Sequence, residues 1–413
     1  PPYGLAVIAQ KLRATGIDVR IVNLNHEVLK ACIDTSGLID YDLSWKSKFR
    51  RELLWKPDLV GVTCMFTMTH GSFKNVCGFA KDLGYPVAIG GVHVTNDVER
   101  VLDDIPQADI AFLNEAELAM VKLVEVVNGA PVTELGQVII NGETRYRIRK
   151  ECKPGPEDID TIPAYDLLPM REMSAYGTVG AFYCFKPRGT RFATVLSNRG
   201  CRAQCTFCSV RTFNGVGVRQ RSISSVVDEL AILRDIGIGH IMWLDDDLLK
   251  DHKRAIGLFN EMVRRNLALT WDATNGLIAH SCEYEVVQAM SESGCIAVNI
   301  GMESGNPQIL RQIKKPGKVE TFLRAAEVFR KFENIHACVL LMLGFPGETL
   351  RMIQDTVNVA RAMDLDWHRV VQLQPLPNTP IYDSMVAQGL IQAVGSMDVR
   401  YTGGGFGKQV EIE

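Results

Sequence analysis

Ser197-Asn198-Arg199-Gly200-Cys201-Arg202-Ala203-Gln204-Cys205-Thr206-Phe207-Cys208-Ser209-Val210 puts three cysteines into eight residues, separated by three and then two positions. That spacing can wrap a loop around one cube of iron and sulfide, each thiolate taking a different iron. Three thiolates for about four irons leave one iron open, as a catalytic metal site requires. A structural zinc knuckle would need a fourth ligand, and neither His240 nor Cys184 stands at a supporting spacing.

Outward from this loop, short apolar strands alternate with amphipathic helices. Strands read at 193–198, 240–244, 269–273, 296–301, 337–343 and 370–375, with helices such as 226–235 and 318–331 between them. Six such units predict an incomplete α/β barrel, whose site lies at the carboxyl ends of its strands. The cysteine loop falls at the first of these ends.

Toward the amino end a second α/β series reads as a helix at 2–14 stopped by Gly16, strands at 18–23, 58–63, 86–90 and 109–113, and a helix at 73–83. This pattern predicts a parallel sheet covered on both faces, with ligands at the carboxyl ends of the strands. The chain opens at Pro1 without a methionine, so further residues, including the first strand of the sheet, are expected upstream. Between the two series, 138–149 alternates as a hairpin centred on Asn141-Gly142. Pro154, Pro156, Pro163 and Pro169 then punctuate a linker. The expected division is 1–130, a joint at 131–192, a barrel at 193–385 and a C-terminal tail at 386–413.

Composition sets broad limits. The 413 residues are 46% hydrophobic and 23% charged, an ordinary globular balance. A net charge of -3 gives no electrostatic reason to expect nucleic acid as a partner. No apolar run is long enough to span a bilayer, and no signal peptide opens the chain. Eleven irregularly spaced cysteines argue against a disulfide framework and for a reducing, cytoplasmic setting.

The cysteine loop, with Phe207 just before its third cysteine, resembles the signature of the radical S-adenosylmethionine superfamily. The resemblance implies that Cys201, Cys205 and Cys208 hold a [4Fe–4S] cluster whose open iron chelates S-adenosylmethionine. One electron, from an external flavodoxin- or ferredoxin-type donor, would then release a hydrogen-abstracting 5'-deoxyadenosyl radical. Trp243-Leu244-Asp245-Asp246-Asp247 ends the second barrel strand, where the family places polar groups near the methionine moiety. Glu303 and Ser304, in Gly301-Met302-Glu303-Ser304-Gly305, resemble ribose or methionine contacts. Gly344, Pro346, Gly347 and Glu348, in Gly344-Phe345-Pro346-Gly347-Glu348-Thr349, resemble the segment that approaches adenine, and Pro375 to Pro380 resembles the usual exit from the sixth strand. Singly, an Asp pair after a strand also reads as a helix cap, and Gly-Phe-Pro-Gly as a turn.

For the front half three readings stand: a nucleotide-binding sheet, a methylthiotransferase-type domain with its own cluster, or a cobalamin domain. No Gly-x-Gly-x-x-Gly follows a strand, and the gaps between Cys32, Cys64 and Cys77 are arbitrary for a cluster. The order of PPYGLAVIAQKLRATGIDVRIVN, PDLVGVTCMFTMT, VAIGGVHVT and ADIAFLNEAE resembles the cobalamin-binding domains fused ahead of many such barrels, a Rossmann-like fold. It implies that Gly90 and Gly91 admit the cofactor's tail, with Thr63, Thr67, Thr95, Asn114 and Glu115 along the same edge. The Asp-x-His-x-x-Gly sequence that supplies histidine to cobalt is absent. His93 is the nearest substitute, and a hydrogen bond suits it better than ligation. Leu113-Asn114-Glu115-Ala116-Glu117 also departs from the family's Arg-Gly-Glu-Gly-Glu.

With both cofactors, the resemblance implies methyl transfer to an unactivated carbon of a small molecule or peptide. Cyclisation or rearrangement, methylthiolation, and a non-catalytic cobalamin sensor are the alternatives. His240, His280, His336 and His368 read as structural histidines, Trp243 and Trp271 as core, and Arg219-Gln220-Arg221 as a solvated loop or an anion contact.

Overall fold

The structure, a computed structural model, describes residues 1–37, 40–176, 185, 186 and 189–391. Cys184 and most of the C-terminal tail, including Gly403-Gly404-Gly405, lie outside the described residues. The described residues divide into two compact units, 1–176 and 185–391.

In the first unit, β1 (Val60–Thr63), β2 (Val87–Gly90) and β3 (Ile110–Phe112) run parallel, followed by β4 (Val138–Ile140) and β5 (Tyr146–Ile148) in the order β1-β2-β3-β4-β5. Side chains alternate between the two faces, as a pleated strand dictates. Val87, Ile89 and Ala111 pack with Phe73, Cys77 and Leu102 on one face, while Ala88, Ile110 and Phe112 pack with Ala119 and Leu135 on the other.

Two expectations need correction. Residues 18–23 join no ladder: they are exposed or half-buried, and Asn23 instead caps the helix Leu24–Asp34 by accepting from the His26 amide at 3.2 Å. The sheet is also not wholly parallel, because the hairpin expected in the joint pairs antiparallel to β3 and extends it. Its register, Ile140 opposite Tyr146, leaves residues 141–145 as the connection, so Asn141-Gly142 begins the turn rather than centring it. The Asn141 amide is drawn off to the Ala108 carbonyl at 2.8 Å, which fixes the hairpin on the sheet edge.

The second unit holds all six expected barrel strands: β6 (Phe192–Val195), β9 (His240–Trp243), β10 (Thr270–Leu277), β11 (Cys295–Glu303), β12 (His336–Leu343) and β13 (Trp367–Gln372). Every neighbouring pair is parallel, and the order β13-β12-β11-β10-β9-β6 is sequential and open, as in a partial (β/α)6 barrel. The predicted strand 193–198 breaks in two. Its end leaves the barrel as β7 (Asn198–Arg199), antiparallel to β8 (Arg219–Gln220).

Trp243 and Trp271 are buried core, and Trp271 stacks on Phe259 of the helix His252–Arg264 at 5.0 Å. His240 is structural: fully buried, it meets Asp272 at 2.9 Å and Thr270 at 3.0 Å. No helix among the described residues is long and apolar enough to cross a membrane.

Candidate functional site

The cysteine loop is closed at its base by the two-residue ladder of β7 and β8 and held from beneath by the acidic end of β9. Asp245 is buried, and its Oδ2 accepts from the Ser197 amide at 2.9 Å. Its Oδ1 accepts from the Ser197 hydroxyl at 2.6 Å and the Asn198 amide at 2.8 Å. Burial pushes its carboxyl up to about 6, against the pull of these donors. Asp247 meets Arg202 Nε at 3.1 Å, and Asp246 takes the Asn214 amide at 3.0 Å. Asp245 therefore holds loop backbone with both oxygens and does not reach out as the methionine contact that the motif suggested. At Gly200, φ is +88° and an added Cβ would lie 2.4 Å from the Gly217 carbonyl oxygen, so only glycine closes the loop.

Within the loop, the Ala203 amide donates to Cys201 Sγ at 3.4 Å, and the Cys208 amide donates to the Cys205 carbonyl at 3.2 Å. Thr206 ties the loop to two helix ends, donating to the Ile313 carbonyl and accepting from the Ile381 amide, each at 3.0 Å. Phe207 plugs into a cluster with Phe345, Ile309 and Ile313. The three cysteines are half-buried. Burial raises all three thiols, Cys201 and Cys208 to about 11. They are thiols until a metal takes them, and binding must expel their protons.

Among the described residues no three His, Cys, Asp or Glu side chains converge on a point that could hold a single metal ion. A cluster does not need such convergence, because each thiolate addresses a separate iron at a cube corner. The donor set fits a cluster and not a lone ion.

Sequence reasoning missed Lys315. Its Nζ lies 2.9 Å from Glu303 Oε1, with both side chains about nine-tenths buried. Burial works against its charge, but Glu303, and Cys205 and Cys208 in their thiolate form, outweigh it and raise its pKa. Glu303 sits at φ +66°, at a register shift between β11 and β12, and such strain in a non-glycine residue is typical of functional positions. The signal was a lysine twelve residues after Glu303, beyond the following helix, where no local pattern links the two.

Ser304 turns inward: it is fully buried, 3.2 Å from the Thr356 hydroxyl, and accepts from the Asn306 amide at 3.1 Å. Glu348 closes its own turn, accepting from the Gly344 amide at 2.7 Å and the Phe345 amide at 3.3 Å. Its other oxygen is buried without a partner among the described residues, an acceptor left for a donor from outside. Gly344 and Gly347 both have positive φ, and the Pro346 carbonyl accepts from Gln312.

In the first unit the predicted residues gather at the carboxyl ends of β1, β2 and β3. Gly91 has φ +106°, and an added Cβ would lie 2.3 Å from the Cys64 carbonyl oxygen. At Gly90 the nearest atom would be an ordinary 3.5 Å away. Thr95 accepts from the Asn114 amide at 2.8 Å and donates to the Gly91 carbonyl at 3.1 Å. Asn114 accepts from Gln137, Glu115 is buried, and Thr63 is exposed.

His93 is buried, with Nδ1 3.1 Å from the Thr67 hydroxyl and Nε2 3.0 Å from His70. Both ring nitrogens are engaged within the protein, which speaks for hydrogen bonding and against ligation. His70 escaped sequence reasoning. Beside Thr67, the side chains of Met65, Phe66 and Met68 are more than half exposed at this edge. An apolar surface beside closely apposed backbone fits a large, partly apolar macrocycle such as a corrin.

Residues 1–124 match the family model for the B12 binding domain, and residues 195–360 match that for the radical SAM superfamily. The chain is 29% identical over 398 residues to the uncharacterized methyltransferase PH0819 of Pyrococcus horikoshii, covering 95% of this chain and 80% of that protein. It is 26% identical to the cytidylyl-2-hydroxyethylphosphonate methyltransferase of Streptomyces wedmorensis, covering 96% and 80%. The anaerobic magnesium-protoporphyrin IX monomethyl ester cyclase of Rubrivivax gelatinosus is 23% identical, over 93% of this chain and 66% of the cyclase.

Among solved structures, the radical S-adenosylmethionine methyltransferase TsrM of Kitasatospora setae shares the fold, with a TM-score of 0.75 and 20% identity over 94% of this chain and 75% of TsrM in its form with cobalamin and a [4Fe–4S] cluster. OxsB, a cobalamin-dependent S-adenosylmethionine radical enzyme, shares it at a TM-score of 0.74 and 15% identity over 94% and 58%. With a B12-binding domain ahead of a radical S-adenosylmethionine domain, the chain is a cobalamin-dependent radical S-adenosylmethionine enzyme, with a [4Fe–4S] cluster, S-adenosylmethionine and cobalamin as its cofactors.

Proposed function

We propose that this enzyme transfers a methyl group to an unactivated carbon of a small molecule or peptide. The observation that carries the reading is the joining of both domains in one chain, alongside relatives named as methyltransferases over 95% and 96% of its length. When bound, the cofactors supply one-electron cleavage of S-adenosylmethionine and a transferable methyl group.

The chain's own part follows from the geometry. Cys201, Cys205 and Cys208 would ligate three irons, leaving the fourth for S-adenosylmethionine. Asp245 and Asp247 hold the loop backbone and Arg202, so the three thiols would be in place before a cluster binds. Lys315 offsets negative charge beside Cys205 and Cys208, and Glu303 offers a carboxylate to the amino or ribose groups of S-adenosylmethionine. The turn closed by Glu348, with its unpartnered buried oxygen, would offer backbone and one acceptor to the adenine. Gly91, Thr95 and the exposed Met65, Phe66 and Met68 would receive the cobalamin. The electron would come from an external flavodoxin- or ferredoxin-type donor in a reducing cytoplasm.

A second reading, cyclisation, is favoured by the likeness to the Rubrivivax cyclase. One experiment separates the two: anaerobic turnover with methyl-labelled S-adenosylmethionine and a candidate substrate pool. Methyl transfer yields S-adenosylhomocysteine and a labelled product alongside 5'-deoxyadenosine. Substrate-dependent 5'-deoxyadenosine with no S-adenosylhomocysteine would sink the methylase and leave the cyclase.

A further inference from the structure

A line of polar side chains lies behind the loop that carries Thr67. Lys74 Nζ is 2.7 Å from Asp104 Oδ1, and Asp104 Oδ2 is 2.8 Å from His70 Nε2. His70 Nδ1 is 3.0 Å from His93 Nε2, and His93 Nδ1 is 3.1 Å from Thr67 Oγ1. Both imidazoles are buried, at 3% and 1% exposure, whereas the Asp104 and Lys74 side chains are 35% and 46% exposed. One end of the line therefore meets solvent. The other ends among Met65, Phe66 and Met68, on the edge that fits cobalamin.

We infer that Lys74, Asp104, His70, His93 and Thr67 form a proton relay between solvent and the bound cobalamin, which sets whether the Thr67 hydroxyl accepts or donates there. The inference rests on the assignment of this edge to cobalamin. Its logic follows from the donor inventory of imidazole. Bonds from Lys74 and then His70 hold the Asp104 carboxyl below its usual range, so it accepts and His70 Nε2–H donates. With His70 neutral, its Nδ1 accepts from His93 Nε2–H. His93 Nδ1 must then accept from Thr67, whose oxygen lone pairs are left to face outward.

One added proton reverses the two bonds between Thr67 and His70 and leaves His70 Nε2–H and Lys74 donating to Asp104. A proton arriving at Thr67 Oγ1 displaces the hydroxyl proton to His93 Nδ1, and His93 passes its Nε2 proton to His70 Nδ1. The charge comes to rest as a His70 imidazolium against Asp104, and the Thr67 hydroxyl now donates outward. Only N–H and O–H bonds are exchanged, and nothing is oxidised or reduced.

The surrounding groups favour that resting place. His93 is pushed down to about 4, first by burial and then by the charges of His70 and Arg100, so the proton does not stay there. Arg100 is itself paired with Asp97 at 2.5 Å. Cys64, whose carbonyl accepts from the His93 amide, is a buried thiol raised by desolvation and thus uncharged.

The test uses the full chain loaded with aquocobalamin and gel-filtered, its visible spectrum followed across pH. Retained cobalamin reports the site assignment, and the pH response reports the relay. Wild type is expected to show a one-proton spectral transition that the free cofactor lacks. Thr67→Val and His70→Gln should abolish it while cobalamin stays bound. Asp104→Asn should move it to lower pH by about one unit, since the imidazolium loses its counter-charge. Lys74→Met should move it to higher pH, because the Asp104 charge is no longer shared.

A purely structural role gives no such opposed shifts. The relay is overturned by retained cobalamin with no transition in wild type, or by an unchanged transition in Thr67→Val. If the buried substitutions prevent folding, Lys74→Met at an exposed side chain decides alone: an unmoved transition overturns the relay. Failure of wild type to retain cobalamin overturns the site assignment, and the relay with it.

Discussion

The two units each pin a cofactor loop with one glycine, but they hold the rest of the loop by different means. At Gly200 a Cβ would strike the Gly217 carbonyl oxygen at 2.4 Å, and at Gly91 the Cys64 carbonyl oxygen at 2.3 Å. Around Gly200 the support is ionic and deep: Asp245 and Asp247 bind backbone and Arg202, while Lys315 lies beside the thiols. Around Gly91 the support is neutral: threonine hydroxyls, paired imidazoles and an open apolar rim. The lesson is chemical. A cluster concentrates charge on three thiolates, so its loop needs fixed charges and donors in place beforehand. A corrin presents a wide, partly apolar surface, so its site needs area and close backbone more than charge.

This contrast can be broken, most forcefully at the cysteines. Cys201→Ala should reduce iron and sulfide from about four of each per chain to a trace after anaerobic reconstitution, with cobalamin retained. Iron retained in full would remove the loop from the chemistry.

The paired glycines come next. Gly200→Ala should lose iron and keep cobalamin, and Gly91→Ala should do the reverse. Each forces a side chain into a positive-φ position against backbone, at a cost of about 1–3 kcal/mol for the conformation alone. Equal loss of both cofactors from either variant would mean that the two loops are not separately built.

Asp245→Ala strands three buried donors and should cost about 3 kcal/mol, read as a lower urea midpoint, with a several-fold loss of iron. An unchanged midpoint would contradict its place under the loop.

The smallest effect concerns acidity. With Cys201 and Cys208 pushed up to about 11, the metal-free thiols are protonated at neutral pH. Their alkylation should therefore be slow at pH 7 and accelerate about tenfold per pH unit toward that value, faster than for a small thiol only at the alkaline end. Rapid alkylation at pH 7 would show that burial does not govern them.

Much of the barrel was legible in advance. Five of the six strands lie where they were read and are largely covered, because a strand buried on its faces needs apolar residues along its length, whereas β13 is exposed along most of its length and lies at 367–372 rather than 370–375. The cysteine spacing and the strand-end motifs are local, and they lie at or just past the carboxyl ends of the strands, where they were expected. The failures share a cause. Residues 18–23 have strand composition but no ladder partner, and the hairpin at 138–148 looked like part of a joint because nothing local shows that β4 pairs with β3. Asp245 looked like a cofactor contact because an acidic strand end gives no sign of facing the loop of another strand.

The sequence by itself determined the periodicity of both units, the three thiolates in one loop, and the glycines on which the loops turn. These depend on neighbours within a few residues, where backbone sterics and side-chain spacing decide. Only the tertiary structure decided that Asp245 carries the cluster loop, that Lys315 pairs with Glu303, and that His70 meets His93. Those partners stand between 12 and 48 residues apart in sequence. Burial strengthens such a bond only once the packing around both partners has excluded water, and no stretch of sequence encodes that packing by itself.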